Sequence, residues 1–164
     1  MMLLLISDSC VLIDIEQGEL TSSMFSLPYQ FAVPDTLFEE ELSERHADLQ
    51  NLGLISKSMR SELIAKAYNL RQQYSRPSLN DLLALILAVD ETAILLTGDR
   101  ALRAVAKVHQ VEVHGTIWLV EQMINNQLIT ADVAKIAFLK MKHSGSRLPW
   151  NEVARLLKNH GHDF

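Results

Sequence analysis

The chain of 164 residues contains a single cysteine, Cys10, so it cannot form an intrachain disulfide. Cys10 lies inside an apolar run, and we therefore expect a reduced, buried thiol and a cytoplasmic protein. No apolar run is long enough to cross a membrane. The apolar run at the start, residues 1–6 (MMLLLI), also lacks the basic start and the small-residue cleavage site of a signal peptide. We interpret it as a buried strand and expect no membrane contact.

Basic residues are outnumbered, with 15 Lys and Arg against 20 Asp and Glu and a formal charge of −5. This balance is not typical of a protein that coats nucleic acid, so any such contact should be local and assisted by metal. The chain also lacks a His-Glu-x-x-His run, a Gly-x-Ser-x-Gly elbow, a phosphate-binding glycine loop ending in Lys-Ser/Thr, and a Cys-x-x-Cys pair. These absences remove the commonest rival enzyme classes.

Short aliphatic runs alternate with segments of helical spacing. This alternation predicts right-handed crossovers and an α/β fold, a three-layer α/β/α sandwich with a mainly parallel sheet of four to five strands. The strands are expected at residues 3–6, 31–33, 92–97 and 111–113, with a weaker one at 52–56. The helices between them are expected at residues 8–18, 34–46, 59–74, 79–89 and 100–109.

The length and the apolar content of 48% are typical of one compact domain, which we place at residues 1–125. Three helical segments follow the last strand, at about residues 116–125, 131–143 and 151–159. Residues 126–164 are therefore expected to form a helical extension packed on or next to the core. Within it, residues 144–149 (SGSRLP) have the composition of a linker.

Two aspartates follow strands directly. Asp8 comes after the first strand, and Asp99 comes after the strand at 92–97 and one glycine. Asp81 lies in the first turn of a helix, and Glu40 lies on the helix entered through Pro34. Ligands of open parallel sheets bind beyond the carboxyl ends of the strands, where strand order reverses. Four carboxylates meeting there would repel one another unless a hard cation such as Mg²⁺ or Mn²⁺ neutralised them.

A helix-capping role is the alternative for each of these residues, because aspartate near a helix start is usually a cap. Asp8 and Asp99 each precede a helix, and Ser78 to Asp81 resembles a capping box. Glu40 belongs to a run of three glutamates that could form a solvated helix face. Asp14 is expected to be an exposed helix residue outside the site. Spacing alone leaves the capping alternative open.

Four segments together resemble the PIN-domain nucleases, including toxin ribonucleases of the VapC type, over about residues 3–124. The first is a strand ending in Asp and a hydroxyl residue before an aliphatic run, and the second is Val-Pro followed by a hydrophobic residue and Glu. The third is Asp opening an Ala- and Leu-rich helix, and the fourth is a strand closing in Thr-Gly-Asp. They stand at residues 6–14 (ISDSCVLID), 33–40 (VPDTLFEE), 78–85 (SLNDLLAL) and 94–103 (ILLTGDRALR).

This resemblance implies a metal-dependent endoribonuclease that uses Mg²⁺ or Mn²⁺. Three aspartates would bind the metal, and Glu40 would bind it directly or through water, although Glu41 followed by Leu also fits the second motif. Ser9 and Thr97 would support these ligands by hydrogen bonds. The resemblance further implies a toxin with an antitoxin partner, and a homodimer. The implied catalytic residues are Asp8, Glu40, Asp81 and Asp99. The implied metal ligands are Asp8, Asp81 and Asp99.

Arg100 and Arg103 share a face of the helix after Asp99 and could meet the RNA backbone. A non-catalytic PIN-like module that binds RNA or protein is the main alternative function. A haloacid-dehalogenase-like phosphatase is a weaker one, because that family expects a second Asp two residues after the first, where this chain has Cys10.

Overall fold

The computed structural model describes residues 2–164 and contains a five-stranded sheet in which all strands are parallel. The strand order is β3-β2-β1-β4-β5. Each strand is short and rich in aliphatic side chains, as expected for a sheet that is covered on both faces. The strands are β1 (Leu3–Ser7), β2 (Tyr29–Pro34), β3 (Ile55–Lys57), β4 (Ile94–Leu96) and β5 (Val113–His114).

The direction in which strands are added reverses at β1, which lies between β2 and β4. Leu5 pairs with Phe31 on one side and with Ile94 on the other. Crossovers between parallel strands are right-handed. The helices that connect β1 to β2 therefore cover one face of the sheet, and those that connect β3 to β4 cover the other. The carboxyl ends of β1 and β4 therefore border the crevice where such sheets bind ligands.

Ten α-helices and one π-helical turn surround the sheet within the described residues. The helix α6 (Leu79–Glu91) contacts β1, β2 and β4, while α1 (Ser9–Gln17) lies on the other face against α8 (Thr116–Asn125) and α9 (Ala131–His143). The remaining elements are α2 (Thr21–Phe25), α3 (Asp35–Leu37), the π-helical turn π1 (Phe38–Leu42), α4 (Asp48–Leu52), α5 (Ser61–Gln73), α7 (Arg100–Val108) and α10 (Trp150–Asn159).

The two C-terminal helices pack tightly on the rest of the chain. Phe138 and Met141 of α9 are fully buried in the same core as β1 and β4. Gly18 caps the end of α1 where a Cβ atom would lie 2.6 Å from the Met141 methyl group, so a larger residue there would displace the Met141 side chain. Trp150 at the start of α10 stacks on Phe164, with their ring centroids 5.9 Å apart.

The predicted parallel α/β sandwich is confirmed, and the helix at 131–143 has the predicted bounds. The sequence did not predict α2 and α4, and the expected helix at 34–46 is divided into α3 and π1. The weak strand at 52–56 lies further along, at Ile55–Lys57, because α4 occupies the preceding residues. Among residues 2–164, no helix combines the length and apolar character needed to cross a membrane.

Candidate active site

Asp8 is a buried carboxylate at the carboxyl end of β1. Its backbone N–H donates to the Leu96 carbonyl over 2.9 Å, which ties it to β4, and its side chain is only 3% exposed. Oδ2 accepts a hydrogen bond from Thr97 Oγ1 at 2.6 Å, and Oδ1 accepts one from the Val11 N–H at 3.0 Å. Both oxygens are therefore held in a fixed orientation at the centre of the sheet edge.

Asp99 and Asp81 lie at the starts of the neighbouring helices α7 and α6. Asp99 Oδ2 accepts from the Leu102 N–H at 3.2 Å, and the Asp99 N–H donates to Thr97 Oγ1 at 3.1 Å, so Thr97 links Asp99 to Asp8. Asp81 Oδ2 accepts from the Ser78 N–H at 3.1 Å in a reciprocal capping box. The capping interactions considered above are thus present. In Asp81 and in Asp99, the cap uses one carboxylate oxygen, and the other oxygen lies outside these hydrogen bonds.

The run of three glutamates lies on π1, and Glu41 is the one that contacts Ser9, the residue after Asp8. Ser9 Oγ donates to Glu41 Oε1 at 2.7 Å, whereas Glu40 is exposed and accepts from Asn80 Nδ2 at 3.2 Å. The Ser43 N–H bonds to the Phe38 carbonyl five residues earlier, so this turn contains one residue more than an α-helical turn. The sequence register pointed to Glu40, and the wider turn brings Glu41 to Ser9 instead.

Burial and neighbouring charges raise the pKa values of two of these carboxyl groups, Asp8 and Asp81. Burial raises the pKa of Asp8 from 3.8 to about 6 against the hydrogen bonds from Thr97 and Val11, and the charge of Asp81 adds to the rise. Burial also raises the pKa of Asp81, with further contributions from Asp99 and Glu41. Four acidic side chains therefore interact at one end of the sheet.

In the absence of metal, we expect the folded protein to lose stability as the pH rises from about 4 to about 6. The folded state binds the Asp8 proton more tightly than the unfolded state does. The free energy of unfolding therefore falls as the pH rises from the pKa of the unfolded state to that of the folded state. A pKa of about 6 instead of 3.8 corresponds to about 3 kcal/mol of unfolding free energy. Urea unfolding in EDTA should show this loss in the wild type and a clearly smaller loss in Asp8→Asn, where only the raised pKa values of Asp81 and Asp14 still contribute.

The matched control for this pH dependence is Asp48→Asn, because Asp48 is exposed on α4. This variant should retain the wild-type difference in unfolding free energy between pH 4 and pH 7. Parallel pH profiles for the wild type and Asp8→Asn would contradict the assigned pKa of Asp8.

The donor chemistry of these residues fits a hard divalent cation. Carboxylate oxygens are the ligands that Mg²⁺ and Mn²⁺ prefer, and positive charge would offset both the burial that mainly raises the pKa values of Asp8 and Asp81 and the smaller effect of their acidic neighbours. Across residues 2–164, no three His, Cys, Asp or Glu side chains are already arranged around one coordination point. The capping hydrogen bonds direct one oxygen of Asp81 and one of Asp99 into their own helices.

A cleft of about 1300 Å³ opens in front of these carboxylates and is lined by Asp8, Asp81 and Asp99. Cys10 also lines it and is exposed, so the expectation of a buried thiol is wrong. The reason is that α1 buries other positions, and residue 10 faces the cleft. Partial burial beside Asp8 raises the pKa of the Cys10 thiol to about 11, which keeps it protonated.

Asp14 also differs from expectation, because it is partly buried instead of exposed. Its Oδ2 accepts from Thr116 Oγ1 at 2.9 Å, and its Oδ1 accepts from Ser146 Oγ at 2.6 Å. Burial raises the pKa of Asp14, and the two hydroxyl groups oppose the rise. Asp14 therefore connects α1 to α8 and to the segment between α9 and α10.

The two arginines proposed from sequence as RNA contacts line the same cleft. Arg100 is exposed at the start of α7. Arg103 is directed back toward the sheet, where its Nε donates to the Thr97 carbonyl at 3.0 Å. Its guanidinium lies so close to Gly115 that a Cβ atom there would be 2.9 Å from Nη2. The cleft is therefore lined by arginines as well as by carboxylates, which include Glu121 and Glu152 besides the aspartates.

Comparisons with known proteins agree with this architecture. A family model described as a PIN domain matches residues 4–162. Among solved structures, the chain is similar to a PilT N-terminus domain protein from the hyperthermophilic archaeon Sulfolobus solfataricus P2, with 15% identity and a TM-score of 0.51. That match covers 75% of this chain and 94% of the other, and at such low identity it shows the fold alone. No curated protein sequence matches the chain.

Proposed function

Because the chain belongs to the PIN-domain family, as its resemblance to that family predicted, we propose that it is a metal-dependent endoribonuclease that hydrolyses RNA phosphodiester bonds. The observation that carries this proposal is the buried Asp8 carboxylate, whose pKa is raised to about 6 in a cleft shared with Asp81 and Asp99. Strongly perturbed acidic groups in a cleft are typical of functional sites. A purely structural cap would be more stable without such repulsion.

We propose that Asp8, Asp81 and Asp99 hold Mg²⁺ or Mn²⁺. When bound, the ion supplies positive charge that neutralises the carboxylates and the phosphate undergoing attack. Thr97 orients Asp8 and receives the Asp99 N–H, so one side chain positions two of the three ligands. The caps of α6 and α7 limit the movement of Asp81 and Asp99 through Oδ2 and leave Oδ1 of each outside the capping hydrogen bonds.

We propose that Glu41 is the fourth acidic residue of the site. Ser9 fixes its Oε1, which leaves Oε2 to accept the proton of the water that attacks phosphorus. Glu41 also contributes to the raised pKa of Asp81, while Glu40 accepts from Asn80 at the outside of the helix. Hydrolysis then requires little else of the protein than orientation of the phosphate in the cleft.

The direct test is cleavage of single-stranded and structured RNA by the purified protein with Mg²⁺, with Mn²⁺ or with EDTA. We expect cleavage with at least one of the two metals, a fall to background in EDTA, and recovery when excess metal is restored. Cleavage that persists in EDTA would contradict the proposed mechanism.

The alternative of a non-catalytic PIN-like module predicts RNA or protein binding and no cleavage with either metal. The same assay therefore separates the two functions. The toxin role, the antitoxin partner and the homodimer stay predictions that rest on the sequence resemblance.

A further inference from the structure

The cleft is rich in arginine although the protein as a whole is acidic. Of the eight arginines in the sequence, four line the cleft, and none of its lining residues in the described chain is a lysine. Arginine presents a planar fork of donors that matches phosphate oxygens. The four residues come from separate parts of the chain: Arg76 precedes α6, Arg100 and Arg103 lie on α7, and Arg147 lies between α9 and α10.

Arg147 stands out because it belongs to the C-terminal part of the chain. It lies in the connection formed by residues 144–149, which makes one wall of the cleft. The connection is fixed at the neighbouring residue, because Ser146 Oγ donates to Asp14 Oδ1 at 2.6 Å and the Ser146 N–H donates to the Met141 carbonyl at 3.0 Å. This wall is therefore attached both to α1 and to the end of α9.

The Arg147 side chain has no structural partner that would account for its place on this wall. It is exposed, and within residues 2–164 no carboxylate lies within salt-bridge distance of it. Arg155 on α10 is equally exposed and is likewise without an ion pair in the described chain, but it does not line the cleft. The two arginines thus differ in position relative to the cleft, which makes Arg155 a matched control.

We propose that Arg147 binds a phosphate of the RNA backbone, so that the connection between α9 and α10 is part of the substrate-binding surface. The proposal rests on the proposed ribonuclease function. An RNA strand whose scissile phosphate lies at Asp8 can then meet arginines on more than one side of the acidic centre. Asp14 and Ser146 act as positioning residues, because the hydrogen bond between them holds the wall.

The test measures binding of a fluorescein-labelled single-stranded RNA by anisotropy in EDTA, over a series of KCl concentrations. For Arg147→Ala, we expect an affinity about fivefold lower at about 50 mM KCl and a salt slope smaller by about 0.7, the value for one lost phosphate contact on a single strand. Arg155→Ala should retain the wild-type affinity and slope. Ser146→Ala should weaken binding with an unchanged slope, because it loosens the wall and removes no charge.

Two outcomes would overturn the proposal. One is an Arg147→Ala protein that binds with the wild-type affinity and salt slope while the wild type binds and cleaves RNA. The other is an equal loss in Arg147→Ala and Arg155→Ala, which would show that only overall charge matters. If the wild type neither binds RNA in EDTA nor cleaves it with Mg²⁺ or Mn²⁺, the proposed function itself fails, and this result is distinct from the first two.

Discussion

Replacing Asp8 by Asn is expected to reduce RNA cleavage by about 1000-fold, equivalent to about 4 kcal/mol of transition-state stabilisation. Asn has nearly the same shape, and its Oδ1 can still accept from the Val11 N–H while its Nδ2 can donate to Thr97 Oγ1, but it carries no charge to hold a divalent cation. The cleavage rate at saturating RNA, measured with Mg²⁺ or Mn²⁺, reports this loss. The exposed Asp48→Asn variant should retain wild-type activity.

The same substitution separates the two roles that the sequence left open for Asp8. Asn is as good an N-cap as Asp, so a residue that only caps α1 would tolerate the change in every assay. A metal-binding carboxylate would lose activity, and the metal-free protein would become more stable above pH 6 because the buried charge is gone. An Asp8→Asn protein that keeps more than about a tenth of the wild-type rate would contradict the assignment.

The second large effect concerns the adjacent glutamates. Glu41→Gln is expected to lower kcat by about 100-fold, the scale of a lost proton-transfer group, while Glu40→Gln should stay within about threefold of the wild type. Gln keeps the size of the side chain and can still accept from Ser9, so the fold should be preserved. The pair is well matched, because both residues are exposed on π1 and both carry the same charge.

The measurement for this pair is kcat with saturating metal, together with far-UV circular dichroism to verify folding. The opposite result, with Glu40→Gln inactive and Glu41→Gln active, would mean that α-helical counting identifies the functional residue and that the π-helical register does not. Wild-type rates for both variants would remove the fourth acid from the mechanism.

The elements that the sequence predicts best are those whose apolar spacing is imposed by burial. The strand β4 and the helix α9 are examples, since Ile94 to Leu96 are all buried and α9 buries one regular stripe. The helices α2 and α4 were not predicted, because each has only five residues and begins without a side-chain cap. One and a half turns are too few to establish a helical period.

The candidate site likewise contains some residues that could be placed from the sequence and others that could not. Asp8 and Asp99 could be located because a strand ends beside each of them, and the ends of parallel strands meet at one edge. The contact of Glu41, and not Glu40, with Ser9 could not be predicted, because it depends on one hydrogen bond that widens a turn. The contacts of Asp14 were also out of reach, since Thr116 and Ser146 lie 102 and 132 residues away in sequence.

The attachment of residues 144–149 to Asp14 also has a consequence for the order in which the protein is made. All four proposed acidic residues lie within the first 99 residues, whereas the wall that carries Arg147 is synthesised about fifty residues later. Chains leave the ribosome from the N-terminus, so the sheet and its carboxylates can assemble before that wall exists. On our proposals, a growing chain would reach its full affinity for RNA only after residues 144–149 have been added and attached to Asp14.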